Sequence, residues 1–132
     1  MTQTSPSNPP TWMVWAGRIL TALPCVALIP SAGMKLSAPA EFITNFEKMG
    51  YSAAVATPLG VVELLCVIVY LVPSTSALGA ILLTGYLGGA IATHVRVGEA
   101  FLAPLLIGVM VWGGLYFRDE RLRKLLPLRT PA

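Results

Sequence analysis

The sequence predicts an all-α fold: an integral membrane four-helix bundle with a short interfacial amphipathic helix between spans one and two. Three observations carry that prediction. Of 132 residues, 55% are hydrophobic and only 11% are charged, well under the ~25% usual in soluble domains. The apolar residues gather into four runs of about 17–22 residues, near the ~20 that cross ~30 Å of hydrocarbon as a helix. Five of the nine Lys and Arg residues follow the last run, an end-weighted charge that reads as membrane topology rather than as a phosphate-binding face. The composition argues against a free soluble enzyme, a disordered chain and a nucleic-acid binder.

Residues 1–11 are polar, uncharged and carry three prolines; they read as a disordered tail without the basic start of a signal peptide. Span one covers about 12–33 and holds Arg18 and Pro24, so a kink is expected there. The connection at 38–49 puts Phe42, Ile43, Phe46 and Met49 on one helical face, with Glu41, Asn45 and Lys48 elsewhere. That amphipathic helix is too short to span and either lies in the interface or caps the bundle. Span two covers about 53–72 and stops at Pro73. Span three covers about 76–95, so the short Pro73–Ser76 link makes spans two and three an antiparallel hairpin. Span four covers about 101–117, with Pro104 in its first turn where a missing N–H does little harm. Residues 118–132 form a basic tail.

Orientation follows from the basic residues. Arg18, Arg118, Arg121, Arg123, Lys124 and Arg129 fall at the end that carries both termini; Lys35, Lys48 and Arg96 fall at the other. Both termini are therefore expected in the cytoplasm. Trp12, Trp15, Tyr116 and Phe117 mark one interface, Tyr51 and Phe101 the other. Leu122, Leu125 and Leu126 beside the tail charges suit anionic lipid, although a topology signal alone explains the charges too.

Glu63 is the strongest chemical signal, a carboxylate in the middle of span two. Such a group costs roughly 2.5–3.5 kcal/mol on insertion scales and is expected to face the bundle interior. It shares a helical face with Gly60, Cys66 and Tyr70, which together with Cys25 and Thr21 of span one are interior-lining candidates. Tyr86, Ala90 and His94 share a face of span three. Counting outwards from the turn, Tyr86 stands level with Glu63, and His94 lies about 12 Å further along the axis at 1.5 Å per residue. The expected polar site is therefore Lys35, Glu63, Tyr86 and His94, with Tyr86 beside Glu63, and Lys35 and His94 higher at the same end. With its cations that far away, Glu63 is expected to be uncharged. Two readings stay open for it: a proton or ligand site, or glue between helices.

Gly85 and Gly89 make a GxxxG that suits helix packing, within the bundle or between copies. Cys25 and Cys66 lie in apolar runs without CxxC or metal-ligand spacing; they read as small buried hydrophobes, with a cross-helix redox pair as the alternative. No phosphate loop, dinucleotide fingerprint or HExxH occurs, and a single histidine supports no multi-histidine metal site.

The order of motifs resembles the DoxX-like family of small bacterial membrane proteins. The features are AGMKL with Lys35; FITNFEKMGYS with Phe46 and Gly50; GVVELLCVIVYLVP with Glu63 and Pro73; LGAILLTGYLGGAIATH with Gly89, Ala90 and His94; and a fourth apolar span with a basic end. They cover roughly residues 15–125. Arg18 and Pro24 in the first span depart from the pattern. The resemblance implies a four-helix protein of the bacterial cytoplasmic membrane and carries over Lys35, Glu63 and His94 as a shared polar site. Named members are associated with membrane oxidoreductase systems, one of them linked to thiosulfate:quinone oxidation. Distant relatives include thiol-redox enzymes and receptor-assembly factors, and the missing CxxC argues against the thiol-redox branch.

Fold-level likeness does not assign function, and three expectations follow. The first is a non-catalytic subunit or assembly factor of a membrane redox complex, with other membrane subunits or a second copy as partners in the lipid bilayer and no cofactor of its own. The second is a quinone or lipophilic-molecule site in which Glu63 and His94 handle protons. The third is a small proton-linked transporter. No metal and no nucleic acid is expected.

Overall fold

The computed structural model describes residues 7–128, and every described regular element is helical. Helix α1 spans Thr11–Ser37, α2 Ala40–Lys48, α3 Ala56–Leu71, α4 Ser76–Val97, α5 Leu102–Arg118 and α6 Glu120–Leu125. Most of the expected tail at 1–11, and the tail's last residues with Arg129, lie outside the described residues; Thr11 already opens α1. Three helical stretches, Thr11–Ser37, Ala53–Leu71 (α3 with the 3-10 turn before it) and Pro73–Val97 (α4 with its leading turn), are long and apolar enough to cross a membrane, while α5 is apolar and shorter than these. At 17 residues α5 reaches about 25 Å.

The four long helices form a ring in the order α1, α3, α4, α5, each packed on its two neighbours and running antiparallel to them. Their outward faces are hydrocarbon, as at Ile19, Leu23, Val61, Leu65, Ile81 and Val109. Their inward faces include Thr21, Glu63, Ser76 and Thr93, all buried. Exposed apolar belts around a partly polar interior suit lipid as the surrounding medium.

Local chemistry fixes the helix ends. Pro73 ends α3, and the carbonyls left open are taken by the next residues: Thr75 Oγ1 donates to Val69 O at 2.7 Å and Ser76 Oγ to Tyr70 O at 2.8 Å. Hydrocarbon cannot satisfy such groups, so the turn supplies its own donors. Gly79 then lets α4 fold tightly back, since a Cβ there would stand 2.3 Å from the Tyr70 backbone. The hairpin expected from the short link is present. Helix α1 runs unbroken through Pro24 and Pro30 to Ser37, four residues beyond the expected end. It stops where Ala38 turns left-handed (φ 46°) ahead of Pro39.

At the end that carries the termini, α1 and α5 meet closely. A Cβ on Gly114 would stand 2.6 Å from Thr21 Oγ1, and one on Gly17 2.9 Å from Arg118 Cγ. Trp12 packs edge-on to Phe117 at 5.8 Å, and Arg18 turns outwards over the Trp15 ring at 5.2 Å. Helix α6 occupies part of the basic tail, with Asp119 accepting from the Arg121 N–H at 2.8 Å.

At the opposite end α2 caps the bundle, one of the two expected placements. Phe46 is buried, and Phe42, Phe46 and Tyr51 stack in series with centroids 5.5 and 4.9 Å apart. Tyr51 therefore faces inwards rather than joining an interfacial belt: its hydroxyl lies 2.5 Å from Thr93 Oγ1. Because Thr93 already donates to Gly89 O, Tyr51 is the donor. Gly50 closes α2 at φ +93°, a conformation that favours glycine. The Arg96 guanidinium packs on it and donates to Met49 O, tying the cap to α4.

Candidate functional site: a buried ionic cluster under an apolar cavity

Glu63 faces the bundle interior and is 1% exposed. Its Oε2 accepts from Lys35 Nζ at 2.9 Å and from the Tyr86 hydroxyl at 3.0 Å. Lys35 also donates to Ser31 Oγ at 2.8 Å, and its ammonium stands 6.0 Å from the Tyr86 ring centre. Three helices thus converge on one carboxylate oxygen: α1 gives Ser31 and Lys35, α3 gives Glu63, and α4 gives Tyr86.

Tyr86 stands where counting from the turn places it. Lys35 does not. It was expected beyond span one and above Glu63; it sits instead in the last turn of the longer α1. A helical side chain slants towards the helix N-terminus, so Lys35 reaches back down into the bundle. Gly60 makes room for this, since a Cβ there would meet Lys35 Cβ at 2.9 Å. The uncharged Glu63 expected from distant cations is accordingly replaced by an ion pair in direct contact.

A half-open cavity of about 460 Å³ lies over the cluster, within the range of small-molecule sites. Glu63, Lys35, Ser31 and Tyr86 contribute its polar part; Leu28, Leu59, Leu87 and Ile107 give apolar wall; Phe42, Phe46, Met49 and Tyr51 bring in the α2 cap. The exposed lining residues Ala27, Gly85, Gly89 and Ala103 belong to α1, α4 and α5, which puts the mouth on that side and away from α3.

His94 lines the same cavity but does not join the Glu63 cluster. Its Nδ1 lies 2.7 Å from Ala90 O. A carbonyl only accepts, so Nδ1 carries the proton, and in the neutral ring Nε2 is the acceptor. The interior candidates Cys25, Cys66 and Tyr70 are buried in the packed core and outside the cavity lining. Both cysteines are free. Tyr70 donates to Val111 O at 2.7 Å and lies under the Arg118 guanidinium at 5.3 Å.

Gly85 and Gly89 are not a packing seam within this chain: a Cβ on either would meet nothing within 4 Å. They are glycines of the cavity wall. Ser31 and the Tyr51–Thr93 pair were missed from sequence. Ser31 carried a readable signal, lying four residues before Lys35 on the same helical face. Tyr51 did not, since an aromatic beside a span reads equally well as an interfacial anchor. Among the described residues, no group of three or more His, Cys, Asp or Glu side chains is placed to hold a metal ion.

Fold and site together define a small membrane-embedded helical bundle with an ionic cluster buried beneath an apolar cavity. The chain belongs to the DoxX-like family, whose model matches residues 19–114. No curated protein and no solved structure matches the chain.

Proposed function

We propose that this protein binds a lipophilic small molecule from the bilayer, its polar head on the Lys35–Glu63–Tyr86 cluster and its apolar body against the cavity walls. One observation carries the reading: a 460 Å³ cavity ends on a carboxylate that is 1% exposed. Helix glue needs the ion pair but no cavity beside it. Ionisable groups inside a membrane usually mark a ligand or ion pathway, and apolar walls with a few convergent polar groups are what a ring-headed lipid such as a quinone requires. The mouth between α1, α4 and α5 favours entry from the bilayer.

This reading is compatible with a subunit role, the protein presenting a bound molecule to a membrane redox partner in the bacterial cytoplasmic membrane. With both termini in the cytoplasm, as the basic residues suggest, the cavity lies in the opposite leaflet. A transporter is less well supported. Beyond Glu63 the described interior is packed with Cys66, Val67, Tyr70, Leu83 and Val111, a largely apolar stretch. Mild-detergent purification at native expression, followed by mass spectrometry of extracted small molecules, tests the proposal. A stoichiometric lipophilic molecule, lost in Glu63→Leu, is expected. Preparations that carry only bulk lipid would contradict it.

A further inference from the structure

The hydrogen bonds of the cluster are unevenly shared. Glu63 Oε2 takes both, from Lys35 and from Tyr86, and Oε1 takes none from a described residue. No fully buried side-chain nitrogen or oxygen among the described residues lacks a partner. Oε1 is therefore not sealed in the packing; it opens on the cavity that Glu63 lines. Lys35 uses two of its three N–H groups, on Glu63 and Ser31, and keeps one. Further along the wall, His94 spends Nδ1 on Ala90 O, and Nε2 has no partner among the described residues. Tyr86 and His94 are eight residues apart on α4, about 12 Å along its axis. Glu63 and the His94 ring thus both border the cavity, each with an acceptor atom that no described residue occupies, and Lys35 adds one spare donor beside the first.

We infer that the site selects a ring bearing hydroxyl groups, a lipophilic phenol or hydroquinone, over the matching quinone. The inference rests on the ligand-binding reading above and specifies its chemistry. A hydroxyl at the cluster donates to Glu63 Oε1 and accepts the third N–H of Lys35. A second hydroxyl across the ring donates to His94 Nε2. A quinone carbonyl satisfies Lys35 alone and turns its lone pairs on Oε1 and Nε2, so both acceptors lose their solvation without a donor in return. Phe42 and Tyr51, lining the cap, flank the ring.

The test uses the full chain in nanodiscs under anaerobic conditions, with three probes of one shape: a short-chain hydroquinone, its quinone and its dimethyl ether. The hydroquinone is expected to bind at least about tenfold more tightly than the other two, the increment of one hydrogen bond to a charged group. In Glu63→Gln the single amide oxygen stays with Lys35 and Tyr86, and the amide N–H turns to the cavity. The preference should then move about tenfold towards the quinone. His94→Leu, at a wall position, should weaken the hydroquinone and spare the quinone, which keeps the inference testable if the Gln variant folds poorly. Equal binding of all three probes overturns the inference and leaves the ligand site standing. Binding of none overturns both.

Discussion

Lys35 and Glu63 are 28 residues apart in the chain and 2.9 Å apart in the fold. The contact joins the end of α1 to the middle of α3 and draws Tyr86 of α4 onto the same carboxylate oxygen. Breaking one side of a buried pair leaves a charge without its partner, at a cost of about 3–5 kcal/mol for a fully buried pair, and less where the survivor reaches solvent. The Lys35 side chain is 14% exposed. Glu63→Leu and Lys35→Met should each lower stability in detergent, and the double variant should lose less than the sum. A thermal-denaturation double-mutant cycle measures the coupling, expected at about 1–3 kcal/mol. Strictly additive losses would remove the ion pair from the account.

The Tyr86 hydroxyl holds Glu63 in place and faces the cavity. Tyr86→Phe deletes one hydrogen bond to a carboxylate, worth about 1.5–3 kcal/mol where the carboxylate is charged. Thermal midpoint and ligand affinity should both fall. A Phe variant unchanged in both would mean that the 3.0 Å contact is not made in the membrane.

Gly60 and Gly85 should respond oppositely to the same change. A Cβ at Gly60 stands 2.9 Å from Lys35 Cβ and 3.2 Å from Ala32 O, so Gly60→Ala pushes α1 off α3, a strain of about 1–3 kcal/mol. A Cβ at Gly85 meets nothing within 4 Å, so Gly85→Ala gains helix propensity, up to about 1 kcal/mol. Melting curves of the two variants check the sign of each. Destabilisation by Gly85→Ala would indicate that another chain packs on that face.

What the sequence showed of this site tracks how local each cause is. The Glu63–Tyr86 contact needed only a tight turn and a constant rise per residue, both readable from Pro73 onwards. The amphipathic helix α2 was readable from the spacing of Phe42, Phe46 and Met49, but its choice of the cap over the interface was not. Lys35 was misplaced because span one was expected to end near residue 33, whereas α1 continues to Ser37. Of the two placements open for Gly85 and Gly89, packing within the bundle fails because no described helix of this chain stands against them: a GxxxG shows that close approach is allowed, not which helix makes it. The cavity itself had no local signature. It depends on how four helices share their contacts, with the tight α1–α5 glycine contacts at Gly17, Gly113 and Gly114 in the half away from α2.

Filling the cavity over Glu63 tests whether it is the proposed ligand site. Gly89→Leu adds a side chain at a wall position where a Cβ meets nothing within 4 Å, so it should occupy ligand space without straining the bundle. Binding of a short-chain hydroquinone to nanodisc-embedded protein should be saturable and one-to-one in the unsubstituted chain. In Gly89→Leu it should weaken at least about tenfold, or about 1.4 kcal/mol, with the melting temperature preserved. Saturable binding undiminished in the filled variant, or no saturable binding in the unsubstituted chain, would contradict the account.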